Sequence, residues 1–188
     1  MKEVISRIWM VPLLACWGGS WLGVAGARAD GFRNPPPSAQ GLGQVGSRYT
    51  LIDDASASAF NPANLTGVEK TDLLLSVTAA RSDKDFTAPT GEKAELKEKW
   101  YMMPSAYAAW ALEKKGWVAG LGVTTPYGQG SEFKQDSYFR YTAPYFAEMR
   151  SVNINPTLTA PLSDSLALGV GLDVLWSDLD LRQIFPWS

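Results

Sequence analysis

The 188-residue chain contains no histidine and one cysteine, Cys16, and carries a formal net charge of −2 at neutral pH. Those counts exclude a histidine-based catalytic triad and histidine-ligated metals, any disulfide within the chain, and a basic face for nucleic acid. No other nucleophile–base pairing stands out, so the sequence offers no catalytic residue, no metal site and no cofactor motif; it does not read as an enzyme.

In chain order, Lys2 and Arg7 precede an apolar run from Ile8 to Ala27, and Ala27-Arg28-Ala29 supplies a small-x-small pattern. This is the plan of a secretory signal peptide, residues 1–29, cleaved after Ala29. Read as a membrane anchor, the same run would be interrupted by Pro12, Ser20 and the glycines at 18, 19, 23 and 26. Cys16 sits in Leu-Leu-Ala-Cys, a faint lipidation pattern, and is read as a leader residue lost on cleavage. Removing Lys2, Glu3, Arg7 and Arg28 with the leader leaves a net charge of about −4.

Residues 30–70 show no sustained alternation. They hold Pro35-Pro36-Pro37, several glycines and Asp53-Asp54, yet also Leu42, Val45, Tyr49, Leu51, Ile52, Phe60 and Leu65. That apolar content is too high for a solvated tail, and the stretch is expected to pack inside another structure as an irregular or weakly helical plug.

From residue 71 the period changes to two. Leu73, Leu75, Val77 and Ala79 mark one strand. Trp100, Met102, Pro104, Ala106, Ala108, Trp110 and Leu112 mark a second, and Trp117, Ala119, Leu121 and Val123 a third, with Gly120 and Gly122 on its other face. Val152, Ile154, Pro156, Leu158, Ala160 and Leu162 alternate with Asn153, Asn155, Thr157 and Thr159. After a tight turn at Ser163-Asp164-Ser165, Leu166, Leu168, Val170, Leu172, Val174 and Trp176 alternate with Ala167, Gly169, Gly171, Asp173 and Ser177. Successive side chains on a strand point to opposite faces, so each strand has one apolar and one small or polar face. Runs this long exceed the usual ~5–6 residues of a soluble strand and match the ~9–11 residues of a tilted strand crossing a bilayer. Trp100 and Trp110, ten residues apart on one face, span about 23 Å along the membrane normal, close to the ~25 Å apolar band between aromatic girdles. The expected fold is therefore all-β: a transmembrane antiparallel β-barrel of which residues 71–188 supply about five strands. The connections 113–116 and 162–165 are short, whereas 82–98 and 126–146 are long, charged or aromatic-rich loops, matching short periplasmic turns and long external loops.

Four ordered segments carry a resemblance to a known family. GFRNPPPSAQGLGQVGSRYTLIDDASASAFNPANLTG resembles the N-terminal hatch of the FadL-type outer-membrane transporters of long-chain fatty acids and other hydrophobic compounds. KKGWVAGLGVTTPYGQGSEF resembles that family's third strand and following loop, and the hairpin 147–182 its fourth and fifth strands. The likeness runs from Gly31 to the end. It implies a barrel of about fourteen strands plugged by residues 30–70, through which a hydrophobic small molecule passes from outside and leaves beside a kinked third strand. On this chain the hatch motif is Asn61, Pro62 and Ala63, and the exit region is Thr124, Thr125, Pro126, Tyr127 and Gly128. Arg182 is the nearest candidate partner for a substrate carboxylate, without an exact motif match. The plainer readings are an Asn-Pro turn at 61–62, a strand end at the membrane interface for 125–128, and a solvated loop arginine at 182.

The resemblance also implies a place in the outer membrane of a Gram-negative bacterium, with membrane lipid and the hydrophobic substrate as partners. Residues 71–182 account for five strands, so about nine more would be needed to close the barrel, and the chain is read as an N-terminal portion or truncated product. A partial barrel completed by other chains, or a fragment without function, is the competing expectation. A general porin would need no plug and a more charged inner face.

Overall fold

The computed structural model describes residues 33–44, 51–83, 85–113 and 116–186. The expected signal peptide, with Cys16, lies outside the described residues. The first ordered element is a single helical turn, α1 (Ala39–Gly43), capped by Ser38, whose hydroxyl accepts from Gly41 N at 3.0 Å. Two 3-10 turns follow, Ala55–Ala59 and Pro62–Gly67. Asp54 starts the first, accepting from Ser56 N at 2.8 Å, and Asp72 reaches across to accept from Ala55 N at 2.6 Å. Two carboxylates thus satisfy N–H groups that a short helix leaves without internal partners.

The rest is strand. β1 (Thr71–Ser82) is followed by a small hairpin, β2 (Asp85–Thr87) with β3 (Lys93–Glu95), then β4 (Lys99–Ala111), β5 (Val118–Thr124), β6 (Gly130–Glu132), β7 (Phe146–Ser163), β8 (Leu166–Gly171) and β9 (Val174–Arg182). β1, β4, β5 and β7 pair antiparallel in that order; β6 joins β7 on the same side as β5, and β8 and β9 line its other side. The sheet is an open antiparallel meander, part of a barrel wall rather than a closed one. Among the described residues no helix is long and apolar enough to cross a membrane.

Alternation along the strands appears as two faces of the sheet. Leu73, Leu75 and Val77 are 72%, 82% and 61% exposed, and Trp100, Met102, Ile154, Leu168, Leu172 and Trp176 are exposed on the same side. The other side is covered by the chain's own N-terminal segment. Ile52, Ala55, Ala57 and Leu65 are fully buried against Tyr107, Ala109 and Val118 of β4 and β5, with Ala59, Phe60, Val68 and Leu74 around them. An apolar outer face and a small or polar inner face is the pattern a bilayer selects, because only alternate residues meet lipid.

β8 and β9 are one strand in register. Thr157 faces Gly171 and Ile154 faces Val174, with no residue gained between them. Pairing lapses at Leu172–Asp173 because Pro156, opposite, has no N–H to donate; Leu172 N still donates to Pro156 O at 3.0 Å. Asp173 accepts instead from the side-chain amides of Asn153 (2.7 Å) and Asn155 (3.0 Å).

Both long loops contain short strands where the sequence showed only loop. Three-residue strands have too few positions to display a period, and these are identified by their partners: β2 with β3, and β6 with β7. Phe86 stacks on Tyr138 at 5.7 Å and meets the edge of Phe139 at 6.4 Å, joining the two loops through aromatic contacts.

Candidate functional site

Besides the Asp72–Ala55 bond and the buried apolar core, three groups of residues among those described tie the N-terminal segment to the wall. The first is Asn61-Pro62-Ala63. Asn61 N donates to Ala57 O at 2.9 Å, its side chain donates to Asn64 Oδ1 at 3.1 Å, and Asn64 in turn donates to Ile52 O at 2.7 Å. Pro62 occupies the first position of the second 3-10 turn, where a missing N–H costs nothing. Its carbonyl accepts from the Thr159 hydroxyl of β7 at 2.5 Å. Beside it lies Gly169 of β8, where an added Cβ would stand 2.4 Å from Ala63 N. Only glycine admits a backbone this close.

The second group is the proline run. Pro37 O accepts from the Tyr107 hydroxyl at 2.9 Å and from the Ser105 hydroxyl, pinning the segment across the inner face of β4. The third is Asn34, which is 7% exposed. Asn34 N donates to Pro126 O at 2.8 Å and its side-chain amide donates to Thr125 O at 2.7 Å.

These last bonds fall where the wall is interrupted. β5 ends at Thr124, paired with Asn153, and β6 resumes at Gly130, paired with Glu148. The register moves by one residue across this gap, so residues 125–129 leave the ladder as an irregular junction. Pro126 removes a donor there. β4 pairs with β5 only as far as Ala106↔Val123, while it continues along β1 to Ser82↔Lys99. Among the described residues, 99–105 of β4 therefore have no strand on their β5 side. The junction is held by Tyr127 N donating to the Ser151 hydroxyl at 2.8 Å, by that hydroxyl bonding back to Tyr127 O, and by Tyr101 donating to Gly130 O at 3.0 Å.

Beside the interruption is a cavity of about 330 Å³, lined by Asn34 and Pro35 of the N-terminal segment, by Ala80, Arg81 and Ser82 of β1 and by Tyr101 and Met103 of β4, and by Gly128, Gln129 and Gly130 of the junction. Its volume sits at the lower end of the range for small-molecule sites. On the outer rim, Lys99 and Arg150 both pair with Glu148, at 3.1 and 2.6 Å, and Lys97 pairs with Glu132 at 2.6 Å.

The structure brings Thr124–Gly128 and the proline run to one place and sets Asn61–Ala63 against β7 and β8. Arg182 is elsewhere, at the end of β9, with its guanidinium 2.7 Å from Asp180 and 4.6 Å from the Phe146 ring centroid. Asn34 and Tyr101 were not distinguished in the sequence. An asparagine immediately before three prolines is the one local signal, since it is the last residue able to donate an N–H before a run that has none. Among the described residues no group of three or more acidic or thiol side chains is placed to hold a metal.

A meander with an apolar outer face, an inner face packed by the chain's own N-terminal segment and long charged loops at one end is the wall of an outer-membrane β-barrel. The profile of the family described as "Outer membrane protein transport protein (OMPP1/FadL/TodX)" matches residues 22–187. The chain belongs to that family and to the outer membrane. A crystal structure of a Pseudomonas aeruginosa FadL homologue superimposes with a TM-score of 0.71 at 17% identity, over 82% of this chain and 39% of that one. A candidate outer membrane protein of Neisseria meningitidis serogroup B is 26% identical over 133 residues, 65% of this chain and 28% of its own length. The chain thus spans well under half the length of either relative.

Proposed function

We propose that this chain forms the plugged, leading part of a barrel that passes hydrophobic small molecules across the outer membrane, long-chain fatty acids or other apolar compounds. In this reading residues 30–70 are the hatch, and Asn61, Pro62 and Ala63 seat it on β7 and β8. The observation that carries the proposal is the interrupted wall at 125–129 backed by a cavity lined largely by apolar groups. A continuous wall would leave a lipophilic solute no sideways exit. An interruption beside the bilayer lets it leave into lipid without crossing water, which suits a substrate whose transfer into water is unfavourable.

Thr124 to Gly128 are the lateral exit in this proposal. A carboxylate-bearing substrate would compete with Asp180 for Arg182, and an exposed ion pair of ~0–1 kcal/mol is a weak competitor. The sheet edges at β1 and at β8–β9 need partners within the membrane, since bare backbone groups in lipid cost several kcal/mol each. Further strands of a longer chain, or other chains, would supply them.

The test uses the protein as its gene encodes it, in the outer membrane of a host lacking such transporters. Uptake of radiolabelled oleate and of the neutral apolar dye N-phenylnaphthylamine is measured for the unsubstituted protein and for the double variant Pro126→Val, Gly128→Val. The variant restores a donor and a β-branched residue at the junction and should lower uptake of both probes while the barrel still folds. Arg182→Gln should weaken uptake of oleate alone. Equal uptake by the folded double variant and the unsubstituted protein would remove the lateral exit from the proposal.

A further inference from the structure

We infer that Asp173 selects among solutes by their head group: it favours apolar chains ending in a neutral or cationic hydrogen-bond donor and disfavours those ending in an anion. The inference rests on the transport reading above and narrows its substrate class.

Asp173 stands where pairing between β7 and the β8–β9 strand lapses. Val174 and Trp176 share the apolar outer face with Ile154 and Val152, their register partners, so Asp173 belongs to the inner face with Gly171. Asn153 and Asn155 reach it from β7 and donate to the same carboxylate oxygen, Oδ1, at 2.7 and 3.0 Å. Asn155 is only 6% exposed, and its amide is fixed further by donating to Leu172 O at 3.2 Å. Two amides from one strand therefore hold the carboxylate in place. Its other oxygen, Oδ2, has no hydrogen-bond partner among the described residues.

What marks this carboxylate is its isolation. Among the described residues it is the only charged side chain on the inner face from Ser151 to Thr159 of β7 and from Ala167 to Leu181 of the strand beside it, and it joins no ion pair. Arg182 lies about 30 Å up the strand at ~3.3 Å per residue and is engaged with Asp180. The neighbours of Asp173 add further acceptors. The side-chain oxygens of Asn153, Asn155 and Thr157 are shut off from solvent without a hydrogen-bond partner among the described residues. Buried oxygens normally have a donor, so this patch has acceptors to spare and no cation.

Toward the loop end the same face turns apolar. Leu175, Leu179 and Leu181 follow at strand spacing, broken only by Ser177, and all three are exposed; Met149 lies opposite Leu179. Residues 173–181 span about 26 Å, longer than a dodecyl chain. The seat of the N-terminal segment, Gly169 against Ala63, lies on the other side of Asp173. A solute coming from the loop end can thus lay its chain along the leucines with its head at Asp173. A hydroxyl or ammonium head donates to Oδ2. A carboxylate head meets a like charge with no cation to offset it, in surroundings where charges act more strongly than in water.

The experiment uses the gene-encoded protein in the outer membrane of the transporter-free host. It follows uptake of radiolabelled 1-dodecanol, dodecylamine and dodecanoate, which share a tail and differ in the head, each corrected for the host alone. The unsubstituted protein should take up the alcohol and the amine roughly tenfold faster than dodecanoate. Asp173→Asn keeps an acceptor for Asn153 and Asn155 but removes the charge. Dodecanoate uptake should then rise and dodecylamine uptake fall, each roughly tenfold, while Asp173→Glu keeps the original ranking. A preference of the unsubstituted protein for dodecanoate, or an unchanged ranking in folded Asp173→Asn, overturns the selection and leaves the transport reading intact. Failure of the unsubstituted protein to take up any of the three overturns both. Where Asp173→Asn does not fold, Leu175→Lys decides. Its ammonium, two residues on and on the same face, comes within reach of the carboxylate, so dodecanoate uptake should rise likewise; no rise counts against the inference.

Discussion

Replacing Gly169 by valine measures how firmly the N-terminal segment is seated. A Cβ at this position would stand 2.4 Å from Ala63 N, 2.6 Å from the Pro62 carbonyl carbon and 2.9 Å from Pro62 Cγ. Ordinary contact starts near 3.4 Å, so the Pro62–Ala63 peptide must retreat by about 1 Å in a close-packed setting. The hydrogen bond from Thr159 to Pro62 O, now 2.5 Å, would then stretch to about 3.5 Å and be lost. Its loss costs ~1 kcal/mol and the forced repacking around fully buried Leu65 a further ~1–3 kcal/mol. The expected destabilisation is therefore about 2–4 kcal/mol. Equilibrium urea unfolding from lipid vesicles, read by tryptophan fluorescence, gives the magnitude, and protease protection of residues 51–67 shows whether the segment has left its seat. Gly43→Ala is the control: nothing lies within 4 Å of a Cβ there, and the change should stay within about 0.5 kcal/mol. Equal midpoints and equal protection for Gly169→Val and the unsubstituted protein would refute the close seating.

Leu65→Ala empties a fully buried site between the segment and β4–β5 and should cost about 2–5 kcal/mol in the same unfolding assay. Asp72→Asn keeps shape but removes the charge that accepts from Ala55 N at 2.6 Å; a loss of ~1 kcal/mol, with the 51–67 region more easily proteolysed, is expected. Leu172→Arg puts a charge on the exposed outer face and should cost ~2–4 kcal/mol near the midplane. Asp173→Asn, one residue on and turned to Asn153 and Asn155, should cost less; the reverse order would mean the faces are misassigned.

The long strands were legible because lipid imposes a strict requirement on every second residue. Leu73, Leu75 and Val77, or Leu166, Leu168 and Val170, declare a face without help from any distant contact. The glycines opposite them were also visible as small inner residues, but their cause was not. A Cβ at Gly120 would lie 2.5 Å from Thr157 Oγ1 and 2.8 Å from Leu65 Cδ1, and one at Gly169 would lie 2.4 Å from Ala63 N; Leu65 and Ala63 are more than fifty residues away in sequence. The same distance hid Asn34, whose role depends on carbonyls at 125 and 126 that are freed by a proline in another element. β7 begins at Phe146, ahead of the apolar alternation from Val152, because its outer end carries Glu148 and Arg150. There hydrogen bonding continues where an apolar face is no longer required. Pro156 was readable as a residue on the apolar face, yet the lapse it causes at Leu172–Asp173 needed the register of two strands.

The moulding of the inner wall to the segment bears on the order in which the molecule is put together. Thr159 bonds to Pro62 across 97 positions of chain, and Tyr107 to Pro37 across 70. Such contacts carry a loop-closure cost that delays them until the strands are nearly placed. Yet the gap at Gly169 is cut to backbone dimensions, so a finished cylinder would have to be pried apart to receive the segment afterwards. The earliest-made portion of the chain must therefore wait alongside the growing sheet and be enclosed as successive hairpins are added, each new glycine-bearing strand closing over it.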